Sequence, residues 1–301
     1  VMYKKRSLYS NEAKWGIILA LPAILGFLIW TLGPMIASFV LGFTDWNVVS
    51  TPHFIGTGNF KRMFIEDFIF KKSIYATVYY SVGSVIASII FAFIIALLLN
   101  QKVKGLPLFR TIFYLPSITP AIASAMLWIW LFNPDFGLLN QILQRFGLPR
   151  LLWIYDEKQV IPSLIFMSIW GMGGMMVIFL AGLQGVPQEL YEAVEIDGGN
   201  WWHRFRYVTI PMMTPTIFFN LVMAIIGSFQ VFTSAYIMTS GGPNYASMFY
   251  VYYIYLSAFR YGQMGYACAL AIILFLIILS FTLVVFKSSP YWVYYESARR
   301  R

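Results

Sequence analysis

IYATVYYSVGSVIASIIFAFIIALLL, residues 74–99, contains no charged side chain. A helix rises about 1.5 Å per residue, so this run extends about 39 Å, more than the roughly 30 Å of a bilayer core. Strands this apolar would need the period-2 alternation of a lipid-facing barrel, which the run lacks, so a helix is the remaining way to satisfy its backbone in lipid. Five further runs of spanning length flank it, at about 15–43, 110–132, 161–184, 213–238 and 264–287. The expectation is an all-α integral membrane protein with six transmembrane helices, forming one domain over residues 1–301. Pro116 and Pro120 interrupt the third run, which predicts a kinked or partly unwound outer end.

Composition agrees. Hydrophobic residues make up 59% of the 301 residues and charged residues 11%, too few to cover a soluble surface. The net charge of +9 does not call for nucleic acid, because the basic residues gather at the ends of apolar runs. Lys4, Lys5, Arg6 and Lys14 precede the first run like a secretory leader. That run is too long for one and reads as a retained span. Cys268 has no partner for a disulfide, and His53 and His203 are the only histidines, so no metal site assembles by the usual spacings.

An even number of spans puts both termini on one side. If that side is the cytoplasm, the inside set holds Lys4, Lys5, Arg6, Lys14, Lys102, Lys104, Arg110, Arg204, Arg206, Lys287 and Arg299 to Arg301. The outside set holds Lys61, Arg62, Lys71, Lys72, Arg145, Arg150, Lys158 and Arg260. The 21 basic residues divide 13 to 8, so the positive-inside rule makes both termini cytoplasmic. Tyrosines and tryptophans at 46, 75, 79, 80, 201, 202, 291, 292, 294 and 295 then fall near span ends, as interfacial belts do.

The inside loop 185–211, between the fourth and fifth spans, reads GVPQELYEAVEIDGGNWWHRFRYVTIP. Pro187 suits a first helical turn, and Glu189 and Glu192 suit its positive dipole end. Gly198 and Gly199 supply a left-handed stop, Asn200 an N-cap for a second short helix, and Pro211 a limit before the next span. Two short helices at an angle are expected across the cytoplasmic face. Leu190, Ala193, Val194 and Ile196 give the first an apolar stripe. Glu189, Glu192, Glu195 and Asp197 disfavour anionic lipid beneath it and favour a groove in a soluble protein.

Glu192-Ala193-Val194, Gly198 and Val208-Thr209-Ile210-Pro211 resemble the signature "EAA" loop of binding-protein-dependent ABC importer permeases, with every spacing intact. The departures are valine at 194, Gly199 for the usual alanine, and Val208 and Ile210 for isoleucine and leucine. Phe109-Arg110-Thr111-Ile112-Phe113-Tyr114-Leu115-Pro116, Trp130-Leu131-Phe132-Asn133-Pro134 and Thr239-Ser240-Gly241-Gly242-Pro243 look like the carbohydrate branch, maltose-type and glycerol-phosphate-type. The resemblance spans nearly the whole chain.

That resemblance implies a bacterial inner-membrane permease that pairs with a second homologous permease. Two ATPase subunits would carry ATP and Mg, and an extracytoplasmic solute-binding protein would deliver a sugar or oligosaccharide. The chain itself would bind no cofactor and catalyse nothing. Glu192, Ala193, Val194, Asp197, Gly198 and Pro211 would couple it to an ATPase. Met167, Trp170, Gly171, Gly174, Ala224, Gly227, Ser228 and Gln230 would face the sugar. An aromatic face with sparse polar partners suits a sugar ring. The plainer reading is helix packing for the glycines, with Gly173 counted among them, and helix-to-helix hydrogen bonds for Ser228, Gln230, Asn220 and Thr233. Glycerol-phosphate or an acidic oligouronate stays open as the alternative solute, since the outside loops carry 8 basic against 6 acidic residues. An ion-coupled carrier is disfavoured because no ionisable residue lies within a span, and a channel because no ring of charges is visible.

Overall fold

The computed structural model describes residues 5–101 and 104–294, with side chains from residue 12 onward. Lys4, Lys102, Tyr295 and Arg299 to Arg301 lie outside the described residues, as do the side chains of Lys5 and Arg6. The chain folds into two compact units.

The first unit holds residues 5–65 and Ile254–Ile273. Helices α1 (Lys5–Phe27) and α2 (Gly33–Leu41) join through a π turn at Leu28–Leu32. The wider turn takes up the hydrogen bond that Pro34 cannot donate, so Glu12–Leu41 stays one apolar rod. None of its most apolar stretch is buried. Helix α3 (Gly58–Ile65) follows, and the Asn59 side chain donates to the carbonyls of Gly42 (2.9 Å) and Thr44 (2.8 Å). The Arg62 guanidinium lies 4.5 Å from the ring centre of Tyr266.

The second unit, Glu66–Tyr253 with residues 274–294, is built around α4 (Phe68–Leu99). Asp67 caps this helix by accepting from the Phe70 amide at 2.9 Å. Ser73, Ala76, Thr77, Ser81, Ser84, Ala92 and Ala96 are buried along it, and this small-residue surface lets neighbouring helices approach closely. Helices α5 (Leu106–Ile118), α6 (Ala121–Leu131), α7 (Leu138–Arg145), α8 (Val160–Trp170) and α9 (Gly173–Gln184) come next in the chain. After them come α10 (Gln188–Ile196), α11 (Trp201–Arg204), α12 (Ile210–Phe229), α13 (Tyr250–Tyr255) and α14 (Met264–Trp292), whose first turns belong to the first unit. Packing against α4 comes from α8, α9 and α12. Ala92, Ala96, Met176, Phe179 and Met213 form the apolar centre.

The fold is all-helical. Among the described residues, four helices are long and apolar enough to cross a membrane, and two bent pairs raise the number to six if each pair is one span. The third run is broken at Thr119–Pro120, mid-run rather than at its outer end, and its halves meet at 100°. Proline disfavours helical geometry at the residue before it and lacks an N–H, so Thr119 is extended while Pro116 rides within α5. The fourth run, of spanning length, bends by 49° between Trp170 and Gly173. The fifth lies earlier than 213–238, as one helix over Trp201–Phe229.

A polar hub fixes the segment between α6 and α8. Buried Asn140 donates to Pro134 O (3.0 Å) and Leu151 O (2.9 Å) and accepts from Leu151 N (3.1 Å) and Trp153 Nε1 (2.9 Å). Asn140→Ala strands several of these groups at once. We expect it to destabilise the permease by about 2–4 kcal/mol, read as a lower unfolding temperature of the detergent-purified protein. A variant melting with the wild type would remove the hub from the account of this segment.

Candidate functional site

Two features stand at opposite ends of α12, and the first is α10 with its closure. The Gly198 amide donates to Glu195 O (3.0 Å) and the Gly199 amide to Val194 O (2.8 Å), the paired bonds of a Schellman stop. Gly198 takes φ +78°, where a side chain would be strained. At Gly199 an added Cβ would sit 2.8 Å from Val194 O and 2.5 Å from Val194 Cγ1, so close packing, not backbone freedom, demands this glycine. Asn200 then caps α11, accepting from the amides of Trp202 (3.0 Å) and His203 (3.2 Å), while His203 Nδ1 faces the Asn200 amide at 3.3 Å.

Glu195 pairs with Arg204, and Tyr191 Oη meets Thr209 Oγ1 at 3.2 Å, so α10 is tied to the helix that follows. Glu189, Glu192, Ala193, Asp197 and Gly198 remain exposed, and Ile196 is 86% exposed among these carboxylates. Val194 instead turns inward onto Gly199. Of the apolar stripe, therefore, Leu190, Ala193 and Ile196 face out. A cavity of about 730 Å³ opens beside α10, lined by Leu97, Gln101, Tyr191, Trp201, Arg204 and Phe205 among others.

Pro211 corrects the sequence reading. It does not end a second short helix: α11 continues through a π turn at Phe205–Thr209 into α12, where Pro211 sits half-buried near the start. The π turn absorbs the missing donor, as at Pro34. Pro211 is thus set within the span, away from the exposed face of α10.

The second feature is a cavity of about 370 Å³ at the place where three spans break. Pro116 and Ala121 bracket the α5–α6 break, Trp170 and Gly171 mark the α8–α9 bend, and residues 230–234 follow the end of α12. Unwound backbone at membrane depth belongs where protein or a cavity can satisfy it. Met167, Trp170, Gly171 and Gln230 are brought together here. Gly174, Ala224, Gly227 and Ser228 are not among the lining residues, and the Ser228 hydroxyl bonds Ile225 O within its own helix at 3.0 Å. Gly174 and Gly227 face open space, whereas Gly173 packs against α5, where a Cβ would lie 2.5 Å from Phe113 O. Asn220 is buried and donates back to Thr216 O at 3.1 Å within its own helix, rather than across to a neighbouring one.

Sequence reasoning missed Tyr80, Ser124, Ser168 and Ser234 in this lining. The proline and glycine breaks were the signal that could have found them, because each break turns otherwise unremarkable serines toward one space. The Ser234 hydroxyl is enclosed without a hydrogen-bond partner among the described residues. Trp170 is 37% exposed and held edge-on by buried Trp128 at 6.0 Å between ring centres. A half-open indole beside scattered hydroxyls presents an aromatic face with sparse polar groups around it.

Comparison with known proteins gives consistent matches. The family described as "Binding-protein-dependent transport system inner membrane component" matches residues 88–289. A probable ABC transporter permease, YesP of Bacillus subtilis, is 41% identical over 98% of this chain and 96% of its own length. The trehalose/maltose transport system permease MalF of Thermococcus litoralis is 32% identical over 92% and 94%. A chain of a bacterial alginate ABC transporter, solved with an alginate pentasaccharide-bound periplasmic protein, superposes with a TM-score of 0.82 at 24% identity. The match covers 95% of this chain and 97% of that one, and bears on the fold alone.

Proposed function

This chain belongs to the family of binding-protein-dependent transport system inner membrane components, and we propose that it is the permease half that passes a sugar or oligosaccharide into the cytoplasm by alternating access. Both termini then lie in the cytoplasm. A second permease completes the pathway, and two ATPase subunits dock on the α10 side. An extracytoplasmic binding protein delivers solute from the other side. The chain's work is binding and movement; hydrolysis belongs to the ATPases. The trehalose/maltose permease among the curated relatives supports a sugar as the cargo.

The observation that carries this reading is one continuous helix joining an exposed acidic docking element to a cavity at three helix breaks. At the first end, Glu192 and Ala193 are free to enter a partner's groove. At the second, Trp170 offers a ring face, with Gln230 and Ser234 as polar partners. ATPase turnover in proteoliposomes holding the complete transporter tests the reading, with and without binding protein loaded from a panel of sugars. Stimulation by one loaded binding protein is expected. A stable complex that no sugar stimulates would refute sugar as the cargo.

A further inference from the structure

A third concavity lies at the end of α4 remote from the α10 side. Lys72, which opens onto it, is about 40 Å along the helix from Leu99. The cleft holds about 310 Å³, the low end of small-ligand sites. Lys72, Tyr75 and Tyr79 reach it from α4 at i, i+3 and i+7, one stripe of that helix. Glu157, Lys158 and Ile161 line it from the start of α8 and the segment before it, and Tyr245 and Ala246 from the loop beyond α12.

Tyrosines of an interfacial belt face lipid, but these rings line a cleft walled by two further segments. Tyr75 is 67% exposed and Tyr79 42%, with ring centres 6.1 Å apart. The charge is unbalanced: two ammonium groups share the space with one carboxylate. The sole ion pair among the described residues is Glu195–Arg204, so neither lysine is neutralised. The Lys72 ammonium rests 5.6 Å from the ring centre of Phe68, which orients it without cancelling its charge.

The cleft also adjoins the sugar cavity. Tyr79 lines one and Tyr80 the other, and on α8 a single turn separates Ile161 in the cleft from Leu164 in the cavity. We infer that this cleft is an outer subsite for an acidic saccharide, with Tyr75 and Tyr79 offering ring faces and Lys72 and Lys158 meeting a uronate carboxylate. The inference rests on the sugar-importer reading and narrows its substrate to uronate-bearing oligosaccharides. Its concavity and size suit one sugar ring better than the broad face of a docked protein.

The test is direct binding to the assembled transporter in nanodiscs of zwitterionic lipid, without binding protein, by equilibrium dialysis. The probes are trigalacturonate and α-1,4-galactotriose, which carries CH2OH where the first carries carboxylate. Trigalacturonate should bind, weaken with added salt, and weaken at least about tenfold in K72Q/K158Q. Galactotriose should be indifferent to that change. Tyr79→Phe should retain trigalacturonate binding and Tyr79→Leu should lose it.

Equal binding of the two sugars, or wild-type trigalacturonate binding by K72Q/K158Q, would overturn the subsite. So would a double variant whose defect is in recruiting binding protein, or in responding to anionic lipid, with trigalacturonate binding intact. Because the readout needs no turnover, a failed subsite beside sugar-stimulated ATPase leaves the importer reading standing. Absent stimulation by every sugar removes that reading whatever the dialysis shows.

Discussion

Sugar uptake should fall about tenfold or more when Glu192 becomes alanine, with the permease still at wild-type levels in the membrane. The side chain is exposed on α10 and makes no ion pair among the described residues, so its removal should change folding stability by less than about 0.5 kcal/mol. The full loss should therefore fall on the contact with the ATPase, where one truncated charged residue at a buried interface can cost 2 kcal/mol or more. Gly199→Val attacks the same element from within. A side chain there collides with Val194 O and Cγ1, which breaks the Schellman stop and swings α10 out of register with α11. Both variants should lose ligand-stimulated ATPase activity, but only Gly199→Val should also lower the unfolding temperature. Normal uptake by Glu192→Ala at normal expression would detach α10 from energy coupling.

Trp170→Ala should cut uptake efficiency by about 10- to 100-fold, mainly through a higher KM, the loss expected when a large aromatic platform is removed from a ligand. Trp170→Phe should retain much of it, because a ring face survives. Trp128 sets the geometry, standing edge-on to Trp170 with its own indole N–H enclosed and unpartnered among the described residues. Initial uptake rates across a range of sugar concentrations separate the possibilities. An unchanged KM in Trp170→Ala with a lower maximal rate would make Trp170 a packing residue rather than a platform.

Where the fold depends on local chemistry, it was legible from residues alone. The apolar runs announce their helices, and Gly198 and Asn200 announce a stop and a start. What was not legible depends on how backbone defects are absorbed. Pro211 reads as a limit, yet it and Pro34 are each carried in a helix behind a π turn, whereas Pro120 breaks its span outright. Nothing in a proline's identity distinguishes those outcomes; the surrounding packing decides. The candidate cavity followed the same rule. Met167, Trp170, Gly171 and Gln230 came from the family resemblance, while Ser124 and Ser234 were missed because they reach the same space only through the turn after Thr119 and the end of α12.

The unbroken helix from Trp201 to Phe229 has a mechanical consequence. At 29 residues it is a shaft about 43 Å long, with its foot braced to α10 by the Tyr191–Thr209 and Glu195–Arg204 contacts and its head ending beside Gln230. A stiff rod converts angle into displacement. A tilt of about 10° imposed at the foot carries the head through about 7 Å, more than the roughly 5.4 Å rise of one helical turn. The π turn at Phe205–Thr209 sits at that braced foot, so stiffening or loosening it would alter the stroke delivered to the cavity without touching the cavity itself.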